Sequence, residues 1–161
     1  MLDPAKSAAD KQPLGKFETR CDEKGRIRLP GSWLHFFTHD LKDNRAFATS
    51  LDGSVVRIYP ESIWRQNLAI FEEASEHSAE VEHLLNLANH YGTETDLDAN
   101  GRILLSQDLR SELGLLGDLV VGTGKKGVIH VYRKADHEAL IRNAKSVAPD
   151  VIQTLTRLGM R

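Results

Sequence analysis

Glu18-Thr19-Arg20-Cys21-Asp22-Glu23-Lys24-Gly25-Arg26-Ile27-Arg28-Leu29 returns 76 residues later as Glu94-Thr95-Asp96-Leu97-Asp98-Ala99-Asn100-Gly101-Arg102-Ile103-Leu104-Leu105. Glu, Thr, Asp, Gly, Arg, Ile and Leu stand at the same places in both copies. A second echo follows: Val55-Val56-Arg57-Ile58-Tyr59 comes back in type as Val128-Ile129-His130-Val131-Tyr132, 73 residues on. The two halves are one supersecondary unit written twice. Two copies are too few for a solenoid, which needs at least about three repeats to bury a continuous core. The expectation is therefore one shared core with internal pseudo-twofold symmetry.

Bulk properties agree with a single globular domain of 161 residues, 40% hydrophobic and 27% charged. There is no run of about 18 apolar residues and no basic-then-apolar amino terminus, so neither a membrane span nor a secretory signal is expected, and the cytoplasm is the expected compartment. Cys21 is the one cysteine, which excludes an internal disulfide and a cysteine-built metal site. A net charge of −2 argues against indiscriminate binding to nucleic acid, so charge has to be read locally.

Along the chain, residues 1–15 read as a polar, disordered arm carrying Pro4 and Pro13. The first half spans 16–75. It opens with a strand to Cys21, the turn Asp22-Glu23-Lys24-Gly25 and a strand Arg26 to Leu29, together predicted to form a tight hairpin. A short helix over Trp33 to Phe37 follows, then a hairpin about Asp52-Gly53 and a helix opened by Pro60. Helical spacing predicts helices over Glu61 to Ala74 and Ser78 to Asn89, with residues 76–92 connecting the halves. The second half, 93–135, repeats the scheme with a short helix Gln107 to Leu113 and strands Leu119 to Gly122 and Val128 to Tyr132. Residues 136–161 complete a helical tail, read as helices Lys134 to Ser146 and Asp150 to Leu158 separated by Pro149.

The doubled Asp-x-x-Gly-Arg turn carries the functional signal. Asp accepts backbone N–H bonds and Gly tolerates the left-handed conformation, so one copy alone would be a hairpin corner. The arginine after each glycine asks for more: an ion pair with the Asp four residues earlier can also orient its guanidinium toward a phosphate or a guanine edge. Charge separates the copies. From Lys16 to Leu29 five basic residues face three acidic ones, whereas from Glu94 to Glu112 two basic face five acidic. The first hairpin is thus expected to meet a polyanion while the second chiefly completes the core.

Other patterns are weaker. Gly122-Thr123-Gly124-Lys125-Lys126-Gly127 matches the dinucleotide fingerprint, but a strand-like run follows where that fingerprint needs a helix, so a glycine-rich hairpin turn is expected. His35 and His39 have i, i+4 spacing with no obvious third ligand, and no metal is assigned. No nucleophile elbow or Walker loop is present, and no enzyme activity is assigned.

Phe17-x4-Asp22-Glu23-Lys24-Gly25-Arg26-Ile27-x-Leu29-Pro30, then Ile58-Tyr59-Pro60 with Trp64, then Leu97-Asp98-x-x-Gly101-Arg102-Ile103-Leu104-Leu105 with Leu109-Arg110 and Gly114-Leu115, resembles the MraZ family of bacterial transcription regulators. The likeness runs from Lys16 to His137. It implies a β-rich α+β fold in which two tandem AbrB-like halves close into one swapped-hairpin, double-split β-barrel flanked by helices. It also implies ring-like homo-oligomers, no cofactor, a nucleoid-associated location, and repression of the division and cell-wall gene cluster through direct promoter repeats in double-stranded DNA. The family's DNA-contacting arginine falls on Arg26, with Lys24 beside it, Asp22 as its orienter and Gly25 in the turn; Arg102, Asp98 and Gly101 hold the corresponding places in the second copy, while Arg20 and Arg28, which flank the first turn, depart from the family pattern and are expected to strengthen its basic, DNA-binding face. One departure is Leu34, where the family commonly has arginine after the aromatic residue of the first short helix; the second half keeps Arg110. Rival readings are an antitoxin-like module that grips a protein, and a ring-forming relative that has lost DNA binding.

Overall fold

The turn Asp22-Gly25 reverses the chain, yet the two strands it joins do not pair with each other. In the computed structural model, which describes residues 9–76, 78–115 and 119–161, strand β1 (Lys16–Arg20) pairs with β7 (Leu119–Lys125). Strand β2 (Arg26–Arg28) pairs instead with β6 (Arg102–Leu104). The tight hairpin predicted for the first repeat is thus corrected to an exchange, and the second repeat behaves alike: β5 (Thr93–Asp96) pairs with β3 (Arg45–Thr49). Only the later strands of each half form hairpins, β3 with β4 (Val56–Pro60) and β7 with β8 (Val128–Arg133). The result is an α+β fold with a six-stranded antiparallel sheet, β1-β7-β8-β4-β3-β5, and a two-stranded ribbon, β2-β6.

The strand order is unchanged when every strand of one half is exchanged for its counterpart, which is the expected pseudo-twofold symmetry in physical form. Its axis passes between Ile27 and Ile103 in the ribbon and between Arg57 and His130 in the large sheet, each pair directly opposite in register. Packing explains the exchange. Ile27 and Ile103 are buried with Val56, Ile58, Val120, Ile129 and Val131 in one core drawn from both halves. Burying an isoleucine contributes about 1.5–3 kcal/mol, and a three-residue strand cannot bury one on both faces without a partner. Gly122 fixes the β1 register: it sits opposite Phe17, whose ring occupies the space a Cβ there would fill.

Five helices flank the sheets among the described residues. Helix α1 (Gly31–His35) continues as a π-helical turn, Phe36–Asp40, closed by the Leu41 N–H on the Phe36 carbonyl at 3.0 Å. This wider turn allows the consecutive Phe36 and Phe37 both to be buried. Helices α2 (Glu61–Ser75) and α3 (Ala79–Tyr91) pack together, with Trp64, Tyr59, Ala88 and Val128 forming a second core. Helix α4 (Gln107–Leu113) is capped by Ser106, which accepts the Leu109 N–H, and ends at Gly114 in the left-handed conformation.

Helix α5 (Lys134–Arg157) runs through Pro149, so the predicted break there is corrected. The flanking turns are exposed, and water can satisfy the carbonyl that proline leaves without a donor. Of the arm expected over 1–15, residues 1–8 lie outside the described residues. At its described end the Gln12 side chain accepts the Gly127 N–H at 2.6 Å.

Candidate nucleic-acid interface

Each Asp organises its turn. Oδ1 of Asp22 accepts the N–H groups of Lys24 at 3.0 Å and Arg26 at 2.8 Å, and Oδ2 accepts Nε–H of Arg26 at 3.1 Å. The Arg26 backbone bond, above all, holds the Asp22 carboxyl below the usual carboxylate range. Asp98 repeats the backbone part, accepting from Asn100 at 2.9 Å and Arg102 at 3.1 Å, with its carboxyl likewise lowered. Gly25 and Gly101 take φ of +84° and +72°, which a side chain rarely adopts. The Asp22 bond to Nε directs the Arg26 guanidinium while leaving its terminal nitrogens for a planar acceptor such as phosphate or guanine.

The exchange of strands then collects what the sequence separates. With Ile27 and Ile103 facing the core, strand alternation sends Arg26 and Arg28 of β2, and Arg102 and Leu104 of β6, to the outer face of the ribbon. Arg28 lies directly opposite Arg102, and its Nε donates to the Asn100 carbonyl at 3.1 Å. Like charges directly opposite destabilise a strand pair unless an anion comes between them. The ribbon is bonded into both turns, Leu105 N–H to the Gly25 carbonyl at 2.9 Å and Leu29 N–H to the Gly101 carbonyl at 2.8 Å. The two Asp turns therefore flank one surface. Lys24 is exposed in the first turn; Arg20 stands at the end of β1 on the large sheet, outside the ribbon face.

The sequence reading names Arg110 but not the turn it stands over. Arg110 of α4 belongs to the second repeat, but its guanidinium lies against Gly25 in the first turn, in the space a Cβ would take. Its counterpart 76 residues earlier, Leu34, lies against Gly101 in the second turn. Each turn is thus dressed by the other repeat's helix. The loss of arginine at Leu34 affects the second turn, and Arg110 adds a cation to the first. Pairing the 76-residue echo with an exchanged β2–β6 ribbon was the signal that could have found it.

Local charge counted along the chain also misplaces the acidic residues. Glu94 and Asp96 each lie 3.0 Å from Arg45, and Glu112 lies 3.2 Å from His90. These carboxylates tie β5 and α4 to their neighbours, away from the ribbon face.

The remaining motifs fall elsewhere. The Gly122-Gly127 stretch is the β7–β8 hairpin, as its following strand predicts. His35 and His39 stack with ring centroids 4.4 Å apart, and Asp40 supplies a third candidate ligand atom within 4.8 Å that spacing alone does not reveal. Cys21 is buried beneath the first turn; burial raises its thiol pKa, with Arg110 opposing. No helix among the described residues is long and apolar enough to cross a membrane.

The family model described as "MraZ protein, putative antitoxin-like" matches residues 91–156. A protein from Acidobacterium capsulatum named Transcriptional regulator MraZ is 34% identical over 129 residues, covering 80% of this chain and 85% of the relative. The proteins of that name from Koribacter versatilis and Anaeromyxobacter sp. (strain Fw109-5) are 28% and 30% identical, covering 98% and 88% of their own lengths and 91% and 80% of this chain.

Proposed function

The chain belongs to the MraZ family of transcriptional regulators, and from that premise we propose that it binds double-stranded DNA through the outer face of the β2–β6 ribbon. The observation that carries this reading is the convergence of Arg26, Arg28 and Arg102 on one exposed strand pair, flanked by Lys24 and Arg110. A two-stranded ribbon fits the major groove, where a bidentate arginine reads guanine O6 and N7. Arg26, steered by Asp22, is the base-reading candidate; Lys24, Arg28, Arg102 and Arg110 are phosphate contacts that set position and salt dependence. In this reading both turns take part, the second through Arg102.

The finer family features belong to the same proposal. The symmetric exchange of strands about one core supports a closed swapped-hairpin barrel. Self-association into a ring is supported by α5. Its counterpart α2 is covered by α3, whereas α5 leaves Val147, Val151, Ile152 and Leu155 exposed at helical spacing. In a ring, several modestly basic ribbons would engage direct repeats together and gain avidity, compatible with a net charge of −2. The protein would then act at the nucleoid as a repressor of the division and cell-wall gene cluster.

The test is fluorescence anisotropy with a duplex of the protein's own promoter at two salt concentrations. Arg26→Ala is expected to weaken specific binding by about 1–3 kcal/mol, and Lys24→Ala chiefly to flatten the salt dependence. Unchanged affinity in Arg26→Ala would remove that residue from the interface, and salt-independent binding would remove the ribbon.

A further inference from the structure

The duplication that built the fold also built one cavity twice. Val56 and Ile58 face the shared core with Ile27 and Ile103, so Arg57 and Tyr59, alternating with them on β4, face away from the ribbon. There, between α2 and the β7–β8 turn, lies a cavity of 280 Å³ lined by Arg57, Tyr59, Asn67, Lys125, Lys126 and His130 over an apolar floor. Its sister, 330 Å³, lies under α5. At the 73-residue offset Val128 corresponds to Val55, Tyr59 to Tyr132, Ile63 to Asp136 and Asn67 to Leu140. The shapes correspond, but the chemistry differs: among the described residues the first cavity is lined by cations without a carboxylate, whereas the second sets Arg133 against Asp136.

The sister shows that the lysines are not needed to make the turn. At their places the β3–β4 turn has Asp52 and Gly53. Asp52 accepts the N–H groups of Ser54 and Val55 at 2.9 and 3.0 Å, and Gly53 takes φ +76° without a side chain to strain. Lys126 adopts the same left-handed region, φ +54°, which is unfavourable for a residue with a Cβ. Its turn is instead fastened by Gln12 through Gly127. A lysine there is thus a costlier choice than the sister's glycine, and it adds a second cation to the rim of the cavity. Arg57 points the same way. It approaches the Tyr59 hydroxyl and feels the charge of Asp52, yet its Nε is buried with no hydrogen-bond partner among the described residues. Opposite it, His130 is held below the usual imidazole range by burial, then by Arg57 and Lys125, against a smaller opposing effect of Asp52, and so presents a neutral ring.

We propose that this cavity binds a small phosphate ester, its phosphate held by Arg57, Lys125 and Lys126 and its polar body by Asn67, Tyr59 and His130. The volume falls just below the usual range of about 300–1,000 Å³ for small-molecule sites, which suits a sugar phosphate or a mononucleotide reaching into solvent and not a larger cofactor. The proposal does not depend on DNA binding by the ribbon, since the two sites lie on opposite sides of the core.

The full chain would be titrated with inorganic phosphate, ribose 5-phosphate, a mononucleotide and unphosphorylated ribose, by calorimetry and by amide NMR shifts. Saturable one-site binding of at least one ester, tighter than inorganic phosphate, is expected, with none for ribose and shifts centred on Lys125 to His130. Lys125→Asp with Lys126→Gly, the sister's own residues, should weaken ester binding at least tenfold, and Arg57→Gln likewise. Arg26→Ala should leave it unchanged, and the double lysine variant should bind promoter DNA as the wild type does. Absence of saturable binding to every phosphate probe would overturn the proposal. So would binding that survives both variants, or inorganic phosphate binding with no preference for an ester. Loss of DNA affinity in the lysine variant without any ester binding would overturn it too, by making the lysines contacts to a DNA backbone.

Discussion

Gly25→Ala and Gly101→Ala are the same substitution at symmetry-related positions, yet the structure predicts different outcomes. Both residues hold positive φ, +84° and +72°, so each alanine costs about 1–2 kcal/mol for the left-handed backbone. At Gly101 the new methyl would stand 3.0 Å from the Leu29 carbonyl oxygen, on the strand whose N–H bonds back to Gly101 at 2.8 Å. Backbone cannot swing aside, and weakening that bond adds about 0.5–1.5 kcal/mol. At Gly25 the nearest atoms the methyl would meet belong to the Arg110 guanidinium, the far end of a flexible side chain. Gly101→Ala should therefore be the less stable variant by roughly 1 kcal/mol, about 2–4 °C in melting temperature for a domain of this size. The order in DNA affinity is the reverse. Gly25→Ala pushes Arg110 off the first turn, so promoter affinity should fall three- to tenfold and the salt slope should lose about 0.9, one phosphate contact. Gly101→Ala presses on the Leu29 carbonyl and leaves Arg110 in place, so it should lower affinity and salt slope by less than Gly25→Ala. In an Arg110→Ala background Gly25→Ala should have no further effect on affinity, because the pair acts as a unit. Equal affinity losses at the two glycines, or full additivity with Arg110→Ala, would refute the placement of Arg110 over the first turn.

Three further outcomes follow from the same geometry. Cys21 is 2% exposed with its thiol pKa raised by burial, so a thiol reagent should label it at the rate of unfolding, and rapid labelling of native protein would contradict that burial. The Asp22 carboxyl is lowered, first by the Arg26 backbone bond, whereas the Asp43 carboxyl is raised by burial against the Ser62 bonds. The stabilisation from Asp22 is thus complete above the unfolded value of 3.8 and lost as pH falls through the lower folded value; carboxyl NMR titration should find Asp43 protonating before Asp22. Val151→Asp with Leu155→Asp on α5 should lower the mass measured by light scattering without lowering the melting temperature of the separated subunit, and an unchanged mass would take self-association away from that helix.

The repeat, the Asp turns and the later hairpins were legible because they rest on local chemistry: Asp caps, glycines that take positive φ, and apolar alternation. The pairing of β1 and β2 was not legible in local chemistry, and only the family resemblance, with its swapped hairpins, implied an exchange. A tight turn between two strands says that the chain reverses, but whether its arms bond to each other or to another half depends on a core shared across 76 residues. The same long-range step hid Arg110, counted with the acidic second repeat although it stands over the basic first turn. Helix α5 was cut at Pro149 because proline removes one helical hydrogen bond and crowds the carbonyl four residues back; here the helix is exposed, water can take that carbonyl, and the 24-residue helix runs on.

The two copies also serve as controls for one another, and this sharpens what counts as functional. Residues kept in both, such as Asp22 and Asp98, Gly25 and Gly101, or Ile27 and Ile103, have structural duties visible in both places: capping, positive φ and the shared core. Arg26 and Arg102 are also kept, yet only Arg26 shows a side-chain bond to its Asp among the described residues, so their retention has no common structural duty. The ribbon face sets Arg28 against Arg102, a repulsion an isolated protein would be better without. A polyanion lying along the ribbon reverses its sign, and it follows that promoter DNA should raise the melting temperature by more in the wild type than in Arg28→Leu. The same variant, free of the repulsion, should be at least as stable as the wild type without DNA. A drop in its intrinsic stability would mean that Arg28 serves the fold through its bond to Asn100, and the ribbon would then lose its claim to be a surface kept basic for a ligand.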